Sequence, residues 1–456
     1  MAKFKAIIIG GGPVGMYLAH ALQATGIDYV LCERRDTIPP PTAFGIFLWP
    51  HGLRLLHQIG LIDQTEAISS LLTSITHVGP TGDVVREYSD FSFLQLRVHP
   101  SHGYPVRMFD RASLAQMLYD NLREPEAHIK TNRQLVDIKR RAGGVTAHFA
   151  DGTREDGSIV IGADGVWSTV RDFMRRDSPE GLFDANPYLS GYRAVFGRSP
   201  LPPPTPRQSS TSSANSLPLL EPEKQFEFHR DGAKLQFFTS KREVHYIIYL
   251  KKTEQQSEQE RKAGGFDLTI DDADAAVAPW LDTPIAANLT FGDLWKTRAA
   301  AGGASLDEGS VRQWHWGRMV LVGDAAHKVL PNQGMGANGG FESAASLVNQ
   351  LTALLRHEPN PNAAELRQAF AAYQAERQGV MATFQRMARD ELDGWTRAGG
   401  PSLDALRAAD VLMSPMVARA VRLDAVPFPE ERVGFSPWVY KVPAEAARAA
   451  GGGPKL

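Results

Sequence analysis

Hydrophobic positions along the chain follow two rhythms, one of buried strands and one of helices with a single apolar face. Ala6 to Ile9 is a short unbroken apolar run, mostly β-branched, as in a strand covered on both faces. From Val14 the residues Leu18, Ala19 and Leu22 recur at helical spacing until Gly26, and Tyr29 to Cys32 forms a second apolar run. Leu53, Leu55, Leu56 and Ile59 mark a short amphipathic helix stopped by Gly60. The stretch Leu72 to Val85, broken by Gly79-Pro80-Thr81-Gly82, reads as a hairpin. Arg107 to Leu122 reads as a helix with Asp110 as its N-cap and Leu114, Met117, Leu118 and Leu122 on one face. Leu135 to Lys139, Gly144 to Ala150 and Ser158 to Gly162 read as strands, the first two joined by a turn at Arg140 to Gly143.

From Leu201 to Leu220 proline and serine replace any periodicity, which predicts a long loop. Strands resume at Phe226 to His229, Leu235 to Thr239 and Val244 to Leu250; the charged stretch Thr253 to Gly265 predicts a solvated helix or loop. Met319 to Val322 is another apolar strand. The glycine-rich segment Gln333 to Asn338 then leads into a helix expected from Gly340 through Leu354, with Phe341, Ala344, Ala345, Leu347, Val348 and Leu351 on its packing face.

Composition narrows the classes. The 456 residues are 43% hydrophobic and 22% charged, ordinary for a globular chain of two or three domains. A net charge of −2 without a basic block gives no reason to expect nucleic acid as a partner. The single cysteine, Cys32, excludes an internal disulfide, and its place in an apolar strand favours a core residue. No apolar stretch reaches the length of a membrane span, so a soluble, cytoplasmic protein without an obligate protein partner is expected.

Three places combine a strand end with glycine or aspartate. Gly10, Gly12 and Gly15 have the spacing G-x-G-x-x-G between the first strand and the first helix. The first permits a tight turn, the second lets a pyrophosphate approach the backbone, and the third lets helix and strand pack closely. Glu33, at the end of the second strand, is placed to accept hydrogen bonds from an adenosine ribose. Asp164-Gly165 follows the strand ending at Gly162, and Gly323-Asp324 follows the strand beginning at Met319. The glycine-rich turn after Pro331 opens a further helix, whose first N–H groups form a second anion site. Arg111, in the first turn of its helix, is either a surface arginine or a clamp on the same pyrophosphate.

Together, G-x-G-x-x-G at Gly10 to Gly15, D-G at Asp164-Gly165 and G-D-A-x-H at Gly323 to His327 resemble the FAD-dependent group A monooxygenases of the para-hydroxybenzoate hydroxylase fold. The residues that follow, Lys328, Pro331, Asn332 and Gly334, look most like the fungal subfamily that epoxidises prenylated indole alkaloid and meroterpenoid scaffolds. The resemblance implies an α/β plus α+β fold, with a Rossmann-like FAD-binding domain, an interleaved β-sheet substrate domain and a helical C-terminal segment. The corresponding ranges are 1–70, 105–178 and 300–380 for FAD, 71–104 and 179–299 for substrate, and 381–456 for a helical cap.

The same resemblance implies roles for individual residues. Gly10, Gly12, Val14, Gly15, Glu33, Arg34, Phe47, Arg111, Asp164, Asp324, Gly336 and Ala337 would hold FAD, with Asp164 also serving a transient NADPH or NADH. Phe44, Phe47 and Tyr192 would line a bulky apolar substrate, and at Phe47 relatives carry a glycine. Reduced flavin and O2 would give a C4a-hydroperoxide as oxygen donor. Arg193 is the candidate catalytic residue, a donor to the peroxide or to an epoxide oxygen, with a plain salt bridge as its alternative. His327, inside a turn of the flavin motif, reads as structural. The expected reaction is epoxidation or hydroxylation, such as that of an indole 2,3-bond with possible rearrangement to a spirooxindole. A flavin-dependent alkene reductase or dehydrogenase, or a phenol hydroxylase, is the alternative.

Overall fold

A computed structural model of the chain describes residues 3–38, 45–79, 83–88, 104–203, 220–263, 270–286, 289–396 and 421–427. Its first layer is a six-stranded sheet built around Lys5–Ile9. That strand lies parallel between Asp28–Cys32 and Ile159–Gly162, and Ile159–Gly162 pairs in turn with Met319–Leu321. These are the apolar runs read from the sequence. Ile7, Ile8, Val160, Ile161 and Val320 are fully buried, as strands covered on both faces require. Because the strands are parallel, Gly10, Glu33, Ala163 and Val322 all emerge at one edge, the carboxyl edge where open α/β sheets bind ligands.

The helix Pro13–Thr25 starts at N-cap Gly12 with proline in its first turn and ends at Gly26, whose φ of 74° closes the C-terminus. Arg107–Asp110 is a strand paired with Gly45–Leu48, not the first turn of a helix. The helix begins at Arg111, and Asp110 caps it through a 2.8 Å hydrogen bond from the Ser113 N–H. Ser74–Val78 and Val84–Tyr88 pair antiparallel, as the hairpin pattern predicts.

The helix expected from Gly340 starts earlier, at Met335, and runs to His357. Its glycines serve close packing: a Cβ on Gly340 would lie 2.5 Å from Val14 Cγ2, and one on Gly339 would lie 2.6 Å from Met381 Cε. The helix Ala363–Trp395 passes residue 381 unbroken, so the boundary expected there falls inside an element. Beyond Thr396 only 421–427 are described.

The second layer is an eight-stranded sheet that includes Ser74–Val78, Leu189–Pro200, Lys224–Arg230, Ala233–Thr239, Glu243–Lys251 and Ala300–Ser310. Its two faces join different cores. Tyr192, Ala194, Ile247 and Tyr249 pack with the FAD-domain core. Val195, Tyr246 and Ile248 pack with Trp280, Phe291 and Leu294 on the far side. Since side chains alternate along a strand, this division assigns a face to every neighbour in these strands.

The inner face carries a buried charged cluster beneath the end of the long helix. Lys234 Nζ lies 3.0 Å from Glu227 Oε2 and 3.2 Å from Glu391 Oε1, and His229 stacks on Trp395 at 3.4 Å. Ligand atoms of His77, Glu227 and His229 lie within 4.8 Å of one another. The cation that neutralises them is the Lys234 ammonium, whose pKa the two carboxylates raise despite its burial.

Candidate active site

The three sequence motifs meet at the carboxyl edge of the first sheet, and backbone contacts fix how closely. Gly10 has φ of 109°, and a Cβ there would lie 2.5 Å from the Ala163 carbonyl oxygen. Gly15 is tighter, since its Cβ would lie 2.0 Å from the Gly10 oxygen. Val14 reaches the third motif, its Cγ1 3.2 Å from a Cβ built on Gly323. Gly12 contrasts with these: a Cβ there meets no atom of the described residues within 4 Å, and the same holds at Gly336 in the first turn of Met335–His357. Glycine at these two positions leaves two helix N-termini approachable by an anion.

Side chains lock the same edge. Glu33 Oε2 accepts a 2.7 Å hydrogen bond from the Gly11 N–H, and Oε1 accepts one from the Arg35 N–H. Asp164 accepts from Ser168 Oγ at 2.6 Å and from the Val170 N–H, so it also organises the start of the helix Thr169–Asp177; burial pushes its carboxyl up. Asp324 Oδ2 pairs with Lys328 Nζ at 2.6 Å. Arg171 ties the second motif to the third, donating to the Val166 and Ala325 carbonyls, and Tyr188 donates to the Asp324 carbonyl. Sequence reasoning missed Arg171; the signal it offered is an arginine in the first turn of the helix that follows D-G.

At the glycine-rich turn, Gly334 (φ 67°) opens the long helix, and Asn338 ties the turn to the strand Gly45–Leu48. The Asn338 amide donates to the Phe47 and Gly334 carbonyls, and its oxygen accepts from the Trp49 N–H. Phe47 stands edge-on to Phe238 of the second sheet, with ring centroids 4.6 Å apart. Phe238 and Phe47 thus bridge the two layers beside Gly334. Arg34 and Arg111 are exposed. Phe44 lies outside the described residues. His327 is buried, 2.9 Å from Ser343 Oγ, and burial lowers its pKa to about 3, so it stays neutral inside the core.

The residues present fit FAD. Two uncrowded helix N-termini suit the pyrophosphate and the flavin carbonyls, and Glu33 stands where an adenosine ribose would lie. The chain matches the FAD binding domain family over residues 3–182 and 302–387. It belongs to the FAD-dependent monooxygenases. The monooxygenase srdH of Neurospora crassa is 33% identical over 473 residues, covering 96% of this chain and 99% of that protein. The monooxygenase spyC of Aspergillus fumigatus is 32% identical, over 78% of this chain and 72% of its own. Among solved structures, a salicylate hydroxylase complexed with its substrate has a TM-score of 0.66 at 18% identity, covering 94% of this chain and 99% of its own. Klebsiella pneumoniae HpxO complexed with FAD and uric acid has a TM-score of 0.66 at 20% identity, covering 92% and 93%. Both share the fold of this monooxygenase, which uses FAD with NAD(P)H as reductant.

Two of the candidate site residues of this monooxygenase have protein partners of their own. Arg193 shares its face with Val195, on the far side of the sheet from Tyr192, Ala194 and the partly buried Phe196. There it forms an ion pair with Glu260 of the helix Glu254–Ala263, and Glu260 also takes Lys252 Nζ at 2.7 Å and Ser305 Oγ at 2.5 Å. The guanidinium therefore points away from the flavin side. Tyr192 is on the inner face, but its hydroxyl donates to Asp393 at 2.6 Å and anchors the end of the long helix rather than a substrate.

A prediction follows for Arg193→Ala. Product formed per NAD(P)H oxidised is expected to stay within about twofold of wild type, while the melting temperature falls because a buried carboxylate loses a partner. Peroxide leakage rising severalfold with FAD retained would restore Arg193 to the catalytic list.

Proposed function

We propose that this monooxygenase oxidises a bulky, largely apolar natural-product intermediate, epoxidising or hydroxylating the indole 2,3-bond of a prenylated indole or an isoprenoid alkene. The observation that carries the reading is the wall between the layers. Phe196, Phe238 and Ile247 share the inner face of the second sheet, and Phe47, which meets Phe238, packs on Gly334 of the glycine-rich turn, so the reacting part of the substrate would meet flat hydrocarbon and little water. Similarity to fungal monooxygenases agrees with it.

FAD, when bound, supplies reduction by NAD(P)H and activation of O2. The chain supplies the rest. Gly12, Gly15, Glu33, Asp164 and Asp324 hold and orient the cofactor, with Arg111 as a clamp. Gly336 and Ala337 offer N–H groups to the ring, and Phe47 sets the gap the substrate must enter.

The test is on purified protein: the visible spectrum, then O2 and NADPH consumption against prenylated indoles and isoprenoid alkenes. Substrate-stimulated NADPH oxidation matched by oxygen in the product supports the proposal. Reduction of the alkene without oxygen uptake replaces it with a reductase. Coupled oxidation of simple phenols alone replaces it with an aromatic hydroxylase.

A further inference from the structure

The turn that opens the helix Met335–His357 has an asymmetry that its glycines do not explain. Its carbonyl oxygens are taken, one after another, by side chains. The Asn332 carbonyl accepts from Gln236 Nε2 at 3.4 Å, and the Gln333 carbonyl accepts from the Trp49 indole N–H at 2.9 Å. The Gly334 carbonyl accepts from the Asn338 amide at 2.7 Å. Helix starts leave their first N–H groups without intrahelical partners, so those of Gly336 and Ala337 remain for a ligand. One side of the turn is bound to protein and the other is kept for something else.

Trp49 has the firmest hold of the three donors. Gln236 shares its amide with Glu227 at 3.0 Å, and Asn338 belongs to the helix it stabilises. Trp49 comes from outside that helix and is itself anchored. Its own N–H donates to Asn338 Oδ1 at 3.0 Å, and its carbonyl accepts from the Leu53 N–H at 3.0 Å as the N-cap of the helix Pro50–Gln58. Every residue of that helix is buried, and the Trp49 ring packs with Leu72 and Val106. A Cβ on Gly52 would lie 2.3 Å from Asn338 Oδ1, so the helix has no room to shift toward the turn. An indole N–H can only donate, and here it has one carbonyl to donate to.

We infer that Trp49 is a positioning residue for the flavin, whose indole holds the Gln333 carbonyl and so sets where the Gly336 and Ala337 N–H groups stand. This rests on the proposed reading that those two groups face the flavin, and it names the side chain outside the motif that fixes them. NAD(P)H passes a hydride to the oxidised flavin, which gains negative charge on its ring. Donors held at a fixed distance stabilise that charge, so they favour the reduced cofactor over the oxidised one. A turn free to shift loses much of this advantage. Trp49 acts through the turn, and its effect is on the cofactor rather than on any one substrate.

The experiment needs no substrate. The ratio of reduced to oxidised flavin is read at equilibrium with a reference dye of known potential, together with the FAD dissociation constant and the melting temperature of the apoprotein. Trp49→Phe keeps a ring and removes the donor. Trp49→His keeps an N–H at the corresponding place on a five-membered ring. Trp316→Phe is the control: it removes the same kind of bond, from an indole to the Asp177 carbonyl at 3.0 Å, at the edge strand of the first sheet. In Trp49→Phe the ratio is expected to fall about fivefold or more, the worth of one hydrogen bond, and Trp49→His recovers part of it. Trp316→Phe lowers the melting temperature and leaves the ratio within about twofold of wild type. A wild-type ratio in Trp49→Phe, an equal fall in Trp316→Phe, or no recovery in Trp49→His overturns the inference. If Trp49→Phe no longer binds FAD, Trp49→His decides: binding regained supports the donor, and binding lost overturns it. Gly336→Ala separates this failure from that of the underlying reading. If it weakens FAD binding while Trp49→Phe leaves the ratio unchanged, the inference fails alone. If FAD binding and the ratio are unchanged in Gly336→Ala, the turn does not face the flavin, and the inference falls with that reading.

Discussion

Gly15→Ala is expected to yield a colourless protein that melts well below wild type, whereas Gly12→Ala is expected to fold normally and also lose flavin. The contrast follows from what a Cβ would meet at each position. At Gly15 it would lie 2.0 Å from the backbone oxygen of Gly10, and Gly10 is itself pressed against Ala163. Neither neighbour is the end of a flexible side chain, so helix and strand must separate. Overpacking of this kind costs about 1–3 kcal/mol and displaces the turn that meets the cofactor. At Gly12 the Cβ finds no atom of the described residues within 4 Å, so they offer nothing to resist it. Any loss of flavin there reports a clash with the cofactor alone. The readouts are the ratio of absorbance at the flavin band to that of the protein, and the melting temperature of both apoproteins. Gly12→Ala retaining wild-type flavin content would show that the pyrophosphate does not approach this turn.

The legibility of these glycines explains which parts of the molecule could be read from the chain. Gly10, Gly12 and Gly15 are required by contacts made within a few residues, so their spacing carries the geometry, and the flanking apolar runs carry the parallel strands. Contacts made across the fold leave no such local trace. Residues 333–338 look like a loop because glycine and asparagine are poor helix formers. They are helical from Met335 because Phe47 of the strand Gly45–Leu48 packs on Gly334 and accepts a hydrogen bond from Asn338, while Val14 and Met381 pack on Gly340 and Gly339 just beyond. Arg193 and Tyr192 were certain to lie on opposite faces of a strand, but nothing local says which face meets the flavin. Only the helices covering the far side decide it. The alternation of Phe226 and Phe228 with Gln225, Glu227 and His229 likewise suggests a wet polar face. In the fold both faces are buried, and the polar one is closed by Trp395 from far along the chain.

That closure makes Lys234→Met the substitution with the largest expected cost. Lys234 is fully buried between Glu227 and Glu391, with its ammonium 5.4 Å over the Trp395 ring. Glu227 spends its other oxygen on Gln225 at 2.7 Å and Gln236 at 3.0 Å, so the amides cannot replace the cation. Removing one partner of a buried pair costs about 3–5 kcal/mol, a large share of the stability of an ordinary domain. The same clamp holds the end of the helix Ala363–Trp395 to the sheet, so the spacing between sheet and flavin turn should loosen with it. The pH dependence separates this account from simple mispacking. In wild type Glu227 is held well below the usual carboxylate value, chiefly by Lys234 acting against burial. Its contribution is present above the unfolded carboxylate pKa of about 4.3 and is lost as pH falls through the lower folded value. Lys234 is raised, so its contribution is complete below about 10.4 and is lost only as pH rises past its folded value. Without the lysine, burial pushes Glu227 up, and protonation relieves the variant while wild type gains nothing. The gap in melting temperature between Lys234→Met and wild type should therefore narrow steadily from pH 8 to pH 5. Adding Glu227→Gln should recover part of the loss at pH 8. A gap that does not change with pH, or a double variant no more stable than the single, would remove the ion pair as the reason the helix stays docked.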